Sequence, residues 1–120
     1  MPQTGPERPY TQKLIVTLEK ASRKNDAPVW REVARRLKSS ARRRPSVNLS
    51  QVAKHTPKGK TALVPGKLLS LGTLSQPLTI ASFAASAAAK AKVKAAGGRL
   101  VTIDELLSSN PKGSNVILVV

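Results

Sequence analysis

The 120-residue sequence predicts an α/β fold, two helices followed by short strands interleaved with helices. Three observations carry this expectation. Two segments before residue 40 place apolar side chains at helical spacing. Short apolar or alternating runs bounded by Gly, Pro, Asn and Ser recur after residue 46, as strands do. In the second half these runs are interleaved with an alanine-rich segment and a helix-start pattern, so strand–helix–strand units recur.

Residues 1–10 hold three prolines and one glycine and predict an extended arm. From Thr11, Leu14, Ile15, Leu18 and Ala21 form one face of a helix. Lys20, Arg23 and Lys24 fall in its last turns, where cations suit the negative end of the helix dipole. Asn25 is its expected stop. Asp26-Ala27-Pro28 opens a second helix, because proline is tolerated where the N–H has no helical partner. Its inward stripe is Trp30, Val33, Ala34 and Leu37, and the position of Trp30 on that stripe makes it a core residue. Residues 39–46 lose periodicity and read as a basic loop.

Val47, Leu49 and Val52 give a short strand signal, and Lys54 to Lys60 a polar basic turn. Thr61–Val64 is a second strand, closed by Pro65-Gly66, and Leu78–Phe83 a third. Residues 84–96 contain eight alanines, the residue of highest helix propensity, with Ser86 as cap and Gly97-Gly98 as stop. Arg99–Ile103 is a fourth strand. Thr102-x-x-Glu105 is a capping box that starts a short helix through Leu106 and Leu107. Asn110–Gly113 is a turn and Val116–Val120 a final strand. The expected organisation is an arm (1–10), a basic helical extension with an arginine loop (11–46) and an α/β core (47–120).

Net charge is +15 and unevenly spread. Residues 1–60 carry fifteen Lys and Arg against four acids; residues 61–120 carry six against two. The first half therefore reads as a binding surface and the second as a folding core. There are no cysteines, which removes disulfides, thiol catalysis and zinc ribbons. Aromatics make up 2% of the chain, too few for a module that reads single strands by stacking. No apolar run approaches membrane-spanning length, and MPQTGPERPY lacks a secretory signal's apolar centre, so a cytoplasmic location is expected.

The densest charge lies between Arg31 and Arg44, where seven of 14 residues are basic and only Glu32 is acidic. Arg31, Arg35, Arg36 and Lys38 sit on the second helix; Arg42, Arg43 and Arg44 lie in the loop behind it. Such a density repels itself unless a polyanion neutralises it, and cations bind phosphates largely through counterion release. Lys54, Lys58 and Lys60 repeat the same sign around a Gly/Pro turn. Lys67 follows Pro65-Gly66, but this is no P-loop: Gly59 and Gly66 are two residues too far apart and Leu68 stands where Ser or Thr is required.

The remaining chemistry-bearing residues have local explanations. His55 has no partner nearby, and Asp104 and Glu105 suit a helix start. Lys90, Lys92 and Lys94 serve solubility as readily as RNA contact. The pattern contains no catalytic set, no metal site and no need for a cofactor. A basic DNA-binding or nucleoid-type module is the alternative to RNA binding, but helix 28–38 offers no Asn or Gln to read adenine.

Five blocks in order carry a family resemblance: Asn25-Asp26-Ala27-Pro28-Val29-Trp30-Arg31, Pro45-Ser46-Val47-Asn48-Leu49-Ser50, Val64-Pro65-Gly66-Lys67, Ala96-Gly97-Gly98 and Asn110-Pro111-Lys112-Gly113-Ser114-Asn115-Val116. Together they closely resemble the archaeal and eukaryotic ribosomal protein family eighteen-e of the large subunit, and the compact length looks archaeal. The resemblance implies a fold shared with the universal large-subunit protein fifteen, an irregular arrangement of short strands and helices with an N-terminal helical extension. It implies large-subunit rRNA and neighbouring large-subunit ribosomal proteins as partners, no small-molecule substrate, no membrane and no catalysis. Leu68 and Ser70 depart from the family's commoner valine and glycine. The apolar Val116–Val120 replaces a frequently basic terminus and predicts burial there. The expected RNA-contacting residues are Arg31, Arg35, Arg36, Lys38, Arg42, Arg43, Arg44, Lys54, Lys58, Lys60, Lys67 and Lys112.

Overall fold

The structure, a computed structural model, describes residues 9–38 and 46–119. Helices α1 (Pro9–Asn25) and α2 (Pro28–Leu37) are followed by β1 (Ser46–Asn48), α3 (Leu49–His55), β2 (Thr61–Leu69), β3 (Thr79–Ala85), α4 (Ala87–Ala95), β4 (Arg99–Thr102), α5 (Ile103–Ser109) and β5 (Val116–Leu118).

All five strands are parallel and run β1-β2-β3-β4, with β5 also on β2. β1 and β5 share one edge of β2. β5 pairs with its first half (Thr61↔Val116 to Leu63↔Leu118), and β1 with its last residues (Ser46↔Lys67 to Asn48↔Leu69). The steps β1→β2 and β3→β4 go one way across the sheet and carry α3 and α4 on one face. The step β4→β5 returns and carries α5 on the other, as crossovers of a single hand require.

The strands alternate between two cores. Leu63 and Ala81, with Val101 and Val116 beside them, face α1, α2 and α5 through Leu14, Leu18, Trp30, Val33, Leu37, Ile103 and Leu106. Ala62, Val64, Ile80 and Leu68 face α3 and α4 through Leu49, Val52, Ala89 and Val93. The helical N-terminal segment thus shares a core with the sheet.

Local signals explain most boundaries. The Ser86 hydroxyl accepts from Ala89 N at 3.1 Å and starts α4. Gly97, at φ +80, ends it: Gly98 N donates to Val93 O and Gly97 N to Lys94 O, the paired bonds of a Schellman motif. Thr102 and Glu105 form the expected capping box. α1 ends in a related way, with Asp26 at φ +50 and Ala27 N bonded to Ser22 O.

Two expectations are corrected. Leu49 and Val52 do not continue the strand of Val47 but open α3, because Asn48 and Gln51 form a second capping box. The β2 strand does not end at Pro65-Gly66. It runs to Leu69 through a register shift between Val64 and Lys67, an irregularity that accommodates a residue without an N–H.

Candidate nucleic-acid interface

On α2, Arg31, Arg35 and Lys38 recur at i, i+4 and i+7, one exposed row of the helix. Neighbouring carboxylates partly neutralise it. Glu32 accepts from Arg35 Nη2 at 2.6 Å and Arg35 Nε at 3.0 Å. The same Glu32 lies 3.1 Å from Arg36 Nε, an ion pair without the alignment of a hydrogen bond. The Arg35 hydrogen bond, reinforced by both guanidinium charges, holds the Glu32 carboxyl below its usual range, and Arg35 is raised in turn. Lys38 Nζ reaches Glu19 Oε2 of α1 at 2.7 Å. Arg35 and Arg36 also lie in the last turn of α2, where cations suit the dipole regardless of any ligand. Arg31 shares a shallow cleft with Asp26 and Arg23.

A second group of cations is assembled by tertiary structure. The buried Trp30 donates its indole N–H to Pro111 O at 2.7 Å and so holds the 110–113 turn on the first turn of α2. Gly113, at φ +67, permits this approach; a Cβ there would lie 2.5 Å from Val29 Cγ1. The turn is braced by Asn110 Nδ2 to Ser114 O (2.7 Å) and Ser114 N to Asn110 Oδ1 (3.2 Å), and it exposes Lys112. Asn115, at φ +60, then joins it to the turn before β2. Its carbonyl accepts from Thr61 N at 2.8 Å, and its Oδ1 accepts from Lys60 Nζ at 2.8 Å. Lys60 N closes that turn on Pro57 O, Lys58 stands exposed at its tip, and Lys54 is exposed in the last turn of α3.

Arg31, Lys112, Lys60, Lys58 and Lys54 are thereby joined, segment by segment, along the edge where β2 and β5 begin. No acidic residue lies between Glu32 and Asp104 or after Glu105, so the two lysine turns carry no counter-charge of their own. Lys67 stands apart, exposed midway along β2 beside Ser46 of β1. Arg42, Arg43 and Arg44 lie outside the described residues. The sequence reading missed Asn115 as the link between the two turns; its left-handed backbone is one that Asn adopts more readily than most residues.

Among the described residues no three His, Cys, Asp or Glu side chains group as metal ligands, and no helix is long and apolar enough to cross a membrane. Trp30 is a core residue, as its stripe predicts.

Residues 3–120 match the model of a family described as ribosomal protein 60S L18 and 50S L18e. The chain is 42% identical over 110 residues to the large ribosomal subunit protein eL18 of Methanococcus maripaludis, covering 92% of each. It is 44% identical over 108 residues to the protein of that name from Methanoregula boonei (90% of this chain, 89% of the relative). It is 42% identical over 112 residues to that of Archaeoglobus fulgidus (93% and 96%).

Proposed function

Since the chain belongs to the ribosomal protein 60S L18 and 50S L18e family, we propose that it is a structural constituent of the large ribosomal subunit that binds folded rRNA through phosphate contacts. The family is one of ribosomal structural proteins, not of enzymes. Its place is the cytoplasmic ribosome, and its partners are large-subunit rRNA and neighbouring large-subunit proteins.

One observation carries the phosphate reading: the band Arg31–Lys112–Lys60–Lys58–Lys54, whose two lysine turns lie in acid-free stretches of the chain and whose segments are tied together by two hydrogen bonds between distant residues. Cations carried on tethered turns suit an RNA surface of fixed shape, because little loop entropy remains to be lost on binding. The exposed row on α2, Arg42, Arg43 and Arg44, and Lys67 are further phosphate contacts in this reading. Glu32 and Glu19 lower the share that Arg35, Arg36 and Lys38 contribute. Family membership also favours RNA over the DNA-binding alternative.

The test is a salt titration of full-length protein on a large-subunit rRNA fragment. Lys58→Ala/Lys60→Ala/Lys112→Ala is expected to weaken binding and to flatten the slope of log K against log salt by roughly two to three. An unchanged slope would remove the band from the interface.

A further inference from the structure

We propose that the crevice at the carboxyl ends of β3 and β4 holds one unpaired nucleotide of RNA, its base against Phe83 and Val101 and its phosphate on Lys90 and Lys94. The inference rests on the rRNA-binding reading but concerns a separate site.

The crevice follows from topology. β3 leads into α4 on one face of the sheet, and the adjacent β4 leads into α5 on the other. Neighbouring strands whose helices diverge in this way leave a gap beyond their carboxyl ends, the place where open parallel sheets bind ligands. The gap is present as a cleft of about 500 Å3, lined by Phe83, Lys90, Lys94, Val101, Thr102 and Glu105 among others. That size lies within the usual range for small-ligand pockets.

Its chemistry is mixed in the way a nucleotide requires. Phe83 and Val101 are half-buried and supply apolar surface. Lys90 and Lys94 are exposed and stand one helical turn apart on α4. The lining carboxylate, Glu105, is committed through Oε1 to Thr102 N at 3.2 Å and Thr102 Oγ1 at 3.0 Å. Two lysines against one tethered acid leave the cleft attractive to a phosphate. The second carboxylate oxygen remains an acceptor for an exocyclic amine. Sequence-specific recognition of RNA relies on such splayed bases, stacked and hydrogen-bonded.

The experiment is ultraviolet cross-linking of full-length protein reconstituted with large-subunit rRNA, with nucleotide adducts mapped by mass spectrometry. Adducts are expected within residues 83–94 as well as within 54–60 and 110–115. Lys90→Gln/Lys94→Gln changes only exposed side chains of α4, and circular dichroism checks that the fold is kept. It is expected to lower the 83–94 adducts roughly tenfold, as loss of two phosphate partners should, and to spare the others. Adducts at the lysine turns with none at 83–94 would overturn the nucleotide pocket and leave the rRNA reading intact. Absence of adducts at all three segments would overturn both. Cross-links from Lys90 or Lys94 to another protein of the subunit, without nucleotide adducts, would reassign the cleft and overturn the proposal. An equal fall at all three segments in the double variant would reduce the lysines to bulk charge and do the same.

Discussion

Trp30 and Pro111, 81 positions apart in the chain, are joined by a 2.7 Å hydrogen bond from the indole N–H to the proline carbonyl. Trp30 is wholly buried, so one side chain both fills the core beneath α2 and sets the height of the turn that carries Lys112. Trp30→Phe keeps an aromatic ring but orphans the carbonyl. Its expected cost is about 1–3 kcal/mol, read as a lower urea midpoint with an unchanged m-value. The affinity for rRNA should fall with it. A stable variant with weakened RNA binding would separate the two roles.

Gly113 makes that contact possible. Gly113→Ala puts a methyl 2.5 Å from Val29 Cγ1 at a φ of +67. The expected loss is about 1–3 kcal/mol from crowding. Val29→Ala in the same chain should return part of it, because the clash is with a side chain and not with backbone. Thermal melts of the single and double variants decide this, and additive losses would refute the contact as the cause.

Asn115 tests the tether of Lys60 without disturbing the fold. Asn115→Gly tolerates φ +60 at no steric cost and should leave stability within about 0.5 kcal/mol. It removes the oxygen that holds Lys60 Nζ at 2.8 Å. Affinity for the rRNA fragment is expected to fall by about 0.5–1 kcal/mol, the worth of an ordinary hydrogen bond. Undiminished affinity would show that Lys60 needs no positioning.

Glu32 has a pH signature. Its carboxyl is held low chiefly by the Arg35 hydrogen bond. The stabilisation is therefore present above the unfolded-state value, about 4.3, and lost as pH falls through the lower folded one. Glu32→Gln should lower the melting temperature slightly at neutral pH, since exposed pairs contribute little, and converge with the parent in acid, so that its acid limb is flatter. The same variant frees Arg35 and Arg36, so tighter RNA binding at low salt is expected. A profile parallel to that of the parent would exclude the pair from acid stability.

The elements legible in the sequence are those whose signals are local. Ser86, Thr102 with Glu105, and Gly97 each act on backbone within a few residues, and each helix end falls where those residues put it. The segment 47–52 misled because Val47 and Leu49 are two apart, as on a strand, while Leu49 and Val52 are three apart, as on a helix, and a run so short carries both spacings. The deciding signal, Asn48-x-x-Gln51, was present in the sequence. Other features depend on residues far apart. The Glu32 pairs follow from helical spacing, but Lys38 meets Glu19 only because α2 folds back on α1. The basic band required Trp30 to find Pro111 and Lys60 to find Asn115, and no periodicity encodes either meeting.

The shared edge of β2 has a consequence for biosynthesis. Part of that edge is occupied by a strand made before β2 and part by residues 116–118, made well after it. A nascent chain still lacking them exposes the unpaired backbone of Thr61–Leu63 to any passing strand. The sheet can close only once residues 116–118 have emerged, so this chain must reach its finished form after translation of those residues and not during it.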